Sequence, residues 1–333
     1  MNAPPPIQKN ICILMKIVVL TSCLFAWGSA WYMNAKDSDQ MRPVPRADSA
    51  IITGTANWGV RFPEDLEEEG VSVVTRDLQF ETPWGPSAHW KLLALDGSRT
   101  RDGRDRNVLV AFSHGWPLDE IDHEAHRRVF WVLREAGVRQ VVACSTAGSL
   151  NRAILENDFA IASDVLELSQ TQFSLLPNRY AYCCSGKQLI CPTCAEVVER
   201  HAREIWPVDA RVYGRSAALV AAHAWGPRLT SPAEVLAYRS LGGDFINHSL
   251  APEATLAREI GACFVNCAFV VAGFDNYFHP DKKIIGAAEA DLLKLKVAAS
   301  RIALRAVADF AGSEGCSCSD LRTTRPSEYA DRR

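Results

Sequence analysis

Four short polar segments hold most of the side chains in this sequence that could handle an anion. They are Thr53-Gly54-Thr55-Ala56, Ser113-His114-Gly115, Ser145-Thr146-Ala147-Gly148-Ser149 and Asn247-His248-Ser249. Each follows an apolar run that reads as a buried strand, and in open α/β sheets the ligand crevice lies at the carboxyl ends of the strands. The last segment also leads into a helix: Pro252 suits a first helical position, and residues 253–260 read as a helix stopped by Gly261. A hydroxyl just ahead of a helix start is where backbone N–H groups and the helix dipole can hold a phosphate or similar anion. Convergent Ser, Thr and His donors therefore point to an anion-binding pocket.

The elements that must position these residues follow from the pattern. Residues 71–80 and 89–95 read as antiparallel strands joined around Pro83-Trp84-Gly85-Pro86, and 108–112 as a buried strand. A helix follows, with Ala125, Val129, Val132, Leu133 and Ala136 on one face and Gly137 at its end. Residues 140–144 give the next strand, 145–149 its polar loop, 158–162 another strand and 194–205 an amphipathic helix. Ser231, Pro232 and Glu234 form a capping box with proline at the first helical position, and Gly242-Gly243 stops that helix. A short strand spans 244–247, residues 264–272 are almost unbroken apolar, as suits a strand covered on both faces, and 292–310 close the domain as a helix.

Composition excludes several classes. The chain has 333 residues, 48% hydrophobic and 23% charged, with a net charge of −3, so no basic surplus favours nucleic acid. The glycine patterns of Walker and Rossmann loops are missing. Eleven cysteines at this length do not make a disulfide scaffold; Cys144, Cys263 and Cys267 lie in apolar runs and read as small core residues. Cys183, Cys184, Cys191 and Cys194 read either as ordinary thiols or as four zinc ligands, although an adjacent pair does not match the usual ligand spacing. Cys316 and Cys318 read as a redox pair or as two thiols in a tail. The chain divides into an N-terminal extension (1–46), a domain (47–311) and a polar tail (312–333). Within the extension, the apolar segment 11–33 reads as a signal anchor, a signal peptide or sequence upstream of a later start, and membrane contact is expected only if it is a real anchor.

The segments 138–154 (VRQVVACSTAGSLNRAI), Cys191-Pro192 and 226–264 (GPRLTSPAEVLAYRSLGGDFINHSLAPEATLAREIGACF) carry a resemblance that spans about residues 49–279. In this order they resemble the purine nucleoside phosphorylase superfamily, in its 5′-methylthioadenosine phosphorylase branch. The resemblance implies an α/β, three-layer fold with a central mixed, partly barrel-like sheet flanked by helices. It implies a pentosyltransferase in which inorganic phosphate is co-substrate, with no other cofactor and no metal. Phosphate attacks the anomeric carbon, the purine leaves, and ribose 1-phosphate or its 5-methylthio analogue forms through an oxocarbenium-like transition state. It also implies purine nucleoside and phosphate as partners, a homotrimer, and a cytoplasmic setting. The alternative is export or anchoring through 11–33.

By position, the resemblance puts phosphate among Thr55, Ser113, His114, Ser145, Thr146 and Ser249. It puts the nucleoside among His248, Gly273, Phe274, Asp275, Leu229 and Thr230, with His114 and Asp275 as the catalytic pair. His126 falls where the family has a tyrosine near the sugar. Three positions depart from the pattern: Ser113 replaces an arginine, His248 a methionine, and Gly273 the first of two base-reading aspartates. Arg127 or Arg128 is a candidate for the missing charge. Thr230 stands where 6-oxopurine enzymes carry glutamate, which favours a 6-aminopurine, whereas Gly273 argues the other way. With the arginine and one aspartate gone, a nucleoside hydrolase and a non-catalytic nucleoside-binding homologue are the alternatives.

Overall fold

Runs of Val, Ile, Ala and Phe dictate a stack of buried strands. The structure is a computed structural model that describes residues 43–116, 122–169, 174–175, 182–184, 186–187, 189–207, 209–226, 228–285, 289–310 and 315–324. The apolar segment 11–33 and its anchor expectation lie outside the described residues. Among the described residues no helix is long and apolar enough to cross a membrane.

In chain order the strands are β1 (Ser49–Ile52), β2 (Val71–Leu78), β3 (Glu81–Thr82), β4 (Gly85–Pro86), β5 (Trp90–Leu95), β6 (Arg106–Ala111), β7 (Gln140–Ser149), β8 (Phe159–Ala160), β9 (Asp164–Leu166), β10 (Tyr182–Cys184), β11 (Val212–Tyr213), β12 (Val220–His223), β13 (Phe245–Asn247), β14 (Cys263–Ala272) and β15 (Arg322–Thr324). The helices are α1 (Ala125–Ala136), α2 (Pro192–Ile205), α3 (Pro232–Ser240), α4 (Leu250–Ile260) and α5 (Glu289–Ala308).

Eleven of the described strands form one mixed sheet, ordered β11-β8-β14-β7-β1-β6-β5-β2, with β13, β12 and β9 branching from β7. β1 runs parallel to β6 and β7, and β14 parallel to β7. The β5 and β2 edge is antiparallel. Every residue of β1 and β14 is buried, which suits parallel strands covered on both faces. Helices α2 and α5 pack on each other and on the sheet, and α1 packs on α4. Phe264 and Phe269 of β14 are fully enclosed; truncating either to Ala would cost about 3–5 kcal/mol.

Two local expectations change. Residues 145–149 are the second half of β7 and not a loop. Their small side chains read as a turn, yet the stretch pairs with β14 and then with β13, and tertiary pairing overrides propensity. Helix α4 begins at Leu250, before Pro252, because the Asn247 side chain takes over the first amides. In the polar tail, β15 pairs with β10 and Cys318 is buried, while Ser317, Ser319 and Asp320 are exposed. The capping box on α3 is present as read, with Glu234 N donating to Ser231 Oγ and Ser231 N to Glu234 Oε2.

Candidate active site

The turn that follows β6 places His114. Ser113, His114 and Gly115 have φ of 51°, 52° and 79° in succession, and two non-glycine residues there cost about 1–2 kcal/mol each. His114 N donates to Thr53 O at 2.7 Å, which ties this turn to the end of β1. Its ring lies against Gly54, where an added Cβ would stand 2.2 Å from His114 Nε2. On the other side, His114 Nδ1 is 2.6 Å from Glu253 Oε1, a carboxylate that is 1% exposed in the first turn of α4. Sequence reasoning passes over Glu253 and reads it only as the residue that follows a helix-starting proline. An acid in the first turn of a helix at a strand end was the available signal.

Thr55, just past the end of β1, and Thr146, in the second half of the parallel β7, bring their hydroxyls 2.9 Å apart. Ser145 does not join them. Successive side chains of a regular strand point to opposite faces, and β7 keeps regular register with β14 through both residues. Ser145 Oγ is buried and has no hydrogen-bond partner among the described residues. Ser113, by contrast, is next to His114 on the turn, carrying a hydroxyl where the expected arginine charge is missing. Arg127 and Arg128 do not stand in for it: Arg127 pairs with Glu124, and Arg128 with Asp122 and the Trp84 carbonyl.

The start of α4 corrects the simple anion-site reading. Ser249 N and Leu250 N both donate to Asn247 Oδ1 at 2.8 Å, so these two amides are already satisfied. Ser249 Oγ, 3.2 Å from the same oxygen, donates to it. Asn247 Nδ2 in turn donates to Thr146 O at 3.2 Å, which fixes β13 against the Thr146 strand. His248 Nδ1 donates to Ala224 O, settling the proton on that nitrogen.

Behind His114 is a cluster of rings. His126 is completely buried, 4.0 Å from Glu253 Oε1, and neither of its nitrogens has a hydrogen-bond partner among the described residues. A solvated helix-face position is thereby excluded. Burial holds His126 well below the ordinary histidine range, with His114, His223 and His123 adding repulsion. His223 is pushed down to about 3 by burial and then by His248 and His123. Trp225 is the hub, its ring 4.3 Å from His123 and 4.9 Å from His223. It is therefore part of this cluster and not simple core filling.

The expected base-reading end is built differently. Asp275 is more than half exposed and pairs with Arg152 at 3.1 Å. Phe274 is buried between the guanidinium groups of Arg152 and Arg239, 5.1 and 4.8 Å from its ring. Gly273 N donates to Glu156 Oε1 at 3.2 Å, and Asn276 donates to the same oxygen. Leu229 is 44% exposed, and Thr230 is buried with no hydrogen-bond partner for Oγ1 among the described residues. Tyr277, also unsignalled in the sequence, lies against β7; a Cβ on Gly148 would be 2.0 Å from its hydroxyl. A separate cleft of about 650 Å3 lies at the other ends of β1 and β6, lined by Asp48, Arg106 and Asn107 among others, and holds none of these residues.

Comparison with known proteins identifies the family. The model of the phosphorylase superfamily matches residues 64–308. A probable S-methyl-5′-thioinosine phosphorylase from Methanothermobacter thermautotrophicus is 27% identical over 221 residues, covering 66% of this chain and 69% of its own. An S-methyl-5′-thioadenosine phosphorylase from Thermococcus kodakarensis is 27% identical over 230 residues, covering 66% and 77%. In fold, the chain is similar to a methylthioadenosine phosphorylase from an antarctic soil metagenomic library, with a TM-score of 0.64, 24% identity and coverage of 79% and 86%. The methylthioadenosine phosphorylase of Schistosoma mansoni gives a TM-score of 0.58 at 20% identity, covering 79% and 91%. With three quarters of its length matched by the family and its polar residues gathered at the strand ends, this chain belongs to the phosphorylase superfamily.

Proposed function

We propose that the chain catalyses phosphorolysis of a purine nucleoside, with a 5′-methylthioadenosine-like substrate giving free base and 5-methylthioribose 1-phosphate. The observation that carries this reading is the Thr55–Thr146 hydroxyl contact, next to a His114 ring fixed by Glu253 and Gly54. Together they supply donors from three strand ends to one anion, in a site whose dipoles are fixed before substrate arrives. Phosphate bound there attacks the anomeric carbon while the C–N bond breaks and its electron pair leaves with the purine. Ser249 and Ser113 complete the phosphate side, and His248 the sugar side. Asp275 and Glu156 are the carboxylates available to the base. In this reading phosphate is the co-substrate and the reaction needs no cofactor. The protein works as a homotrimer in the cytoplasm, and light scattering of the purified chain tests the oligomer.

One observation favours a second reading. Ser113 leaves the phosphate side without a fixed cation, and both neighbouring arginines are engaged by acids. Water would then be the nucleophile. The deciding experiment is adenine release from methylthioadenosine with and without inorganic phosphate. Phosphate-dependent release, with a sugar phosphate formed in equal amount, supports phosphorolysis. Release at one rate in both conditions moves the enzyme to the hydrolases, and no release with retained nucleoside binding makes it a binding protein.

A further inference from the structure

Four cysteines from three distant parts of the chain meet at the amino-terminal end of β14. Cys191 caps α2, Cys263 opens β14, and Cys316 and Cys318 come from the C-terminal segment. Their sulfurs all lie within 4.8 Å of one another, and Cys191, Cys263 and Cys318 are buried. Cys263 Sγ and Cys316 Sγ are 3.4 Å apart, well beyond the ~2.05 Å of a disulfide. Four thiolates around one zinc ion at ~2.3 Å form a tetrahedron with edges of about 3.8 Å, which is the size of this cluster. Sulfurs this close leave no room for the inorganic sulfide of a polynuclear iron–sulfur centre.

The surroundings hold the four in place. Cys191 N donates to Phe264 O at 2.7 Å, fixing the start of α2 beside the start of β14. The buried Arg258 donates through Nη1 to Cys318 O at 2.6 Å, placing a cation next to a site that would carry surplus negative charge. Thr193 Oγ1 donates to Gly315 O at 3.3 Å. Of the four zinc candidates read from sequence, Cys191 takes part. The Cys183 and Cys184 side chains lie outside the described residues, and Cys194 accepts from Gln140 Nε2 at 3.6 Å.

We propose that Cys191, Cys263, Cys316 and Cys318 bind one zinc ion in a closed tetrathiolate site that fastens the C-terminal segment to the base of the sheet. Binding replaces four thiol protons with four sulfur–zinc bonds and releases the protons to solvent. The site is structural. It lies at the first residue of β14, whereas Gly273 follows the last, and nine strand steps of ~3.3 Å separate the two ends by about 30 Å.

The test uses the full chain, produced with added zinc and purified under reducing conditions without chelator. Elemental analysis should find about one zinc per chain. Cobalt substitution should give thiolate-to-cobalt charge transfer and the intense visible bands of a tetrahedral site. The double variant Cys316→Ser/Cys318→Ser should lose the zinc and melt several degrees lower, with an unchanged KM for nucleoside. Less than about a tenth of a zinc per chain, with the four thiols open to a thiol reagent, would overturn the proposal. So would disulfides among the four in peptide maps of the zinc-supplied protein.

Discussion

His114 Nδ1 lies 2.6 Å from Glu253 Oε1, joining the turn after β6 to the first turn of α4 across 139 positions of sequence. With Gly54 against its opposite edge, the imidazole is set from both sides. Glu253→Gln keeps the shape and removes the charge, and is expected to lower kcat about tenfold or more. The KM for phosphate should rise while the KM for nucleoside barely moves, which a merely structural role would not produce. Gly54→Ala should cost roughly a hundredfold in kcat/KM, since its Cβ requires the ring to move. Its φ of −151° adds no left-handed strain, so any fall in melting temperature should come from displacing the ring from the buried Glu253 carboxylate.

Ser113→Arg restores the missing cation. The left-handed φ of 51° strains serine and arginine alike, so the change adds no new backbone cost. A hydrogen bond to a charged group contributes about 1.5–3 kcal/mol, and the expected gain in kcat/KM for phosphate is about ten- to a hundredfold. Phosphate titration at saturating nucleoside measures it. No change in phosphate dependence would mean that phosphate does not bind beside residue 113.

The two buried histidines make stability depend on pH. His223 is held at about 3, and His126 well below its ordinary value, mainly by burial in both cases. An unfolded histidine titrates near ~6.5. Below that pH the unfolded chain binds protons that the folded chain refuses. The stability associated with the neutral rings is therefore complete above about pH 6.5 and falls as the pH drops toward the folded values, by about 1.4 kcal/mol per unit for each ring. Between pH 7 and pH 5 His223 should contribute a loss of roughly 2 kcal/mol, with His126 acting in the same direction, readable as a shift in urea midpoint. His223→Phe should remove the His223 part of that slope. Equal midpoints at both pH values would refute this account.

What was legible in the sequence was local. The capping box of Ser231 and Glu234, the αL stops at Gly137 and Gly261, and the apolar run of β14 each depend on residues a few positions apart, and all are present. The paired threonines were reachable because each stands shortly after a run of apolar residues, 50–52 and 141–144. Glu253 carried a local signal, an acid in the first turn of a helix. Its pairing with His114, the contact of Glu156 with Gly273 and the four-cysteine cluster were not reachable, because each joins residues more than fifty positions apart and only the topology brings them together. Ser145 misled for a related reason: its neighbours look like a loop, but β14 and β13 pair with them and turn its side chain away from Thr146.

Glu156 changes what Gly273 means. Its carboxylate oxygen accepts from Gly273 N at 3.2 Å and lies 3.6 Å from the point where a Cβ on Gly273 would stand. A carboxylate brought in from the segment before β8 thus lies beside the position where the resemblance expects the first base-reading aspartate. Gly273→Asp alone would set two carboxylates side by side, and like charges ~4 Å apart at an effective dielectric of 20 repel by roughly 4 kcal/mol, less here because Glu156 is partly exposed. The single variant should therefore lose activity and melt lower. The double variant Glu156→Gln/Gly273→Asp should recover most of both. Glu156→Ala should cut kcat/KM for adenine nucleosides about tenfold or more, because a donor on the base loses its acceptor. Measuring all four proteins on one nucleoside panel tests the exchange, and a gain in activity from Gly273→Asp alone would show that Glu156 does not substitute for the missing aspartate.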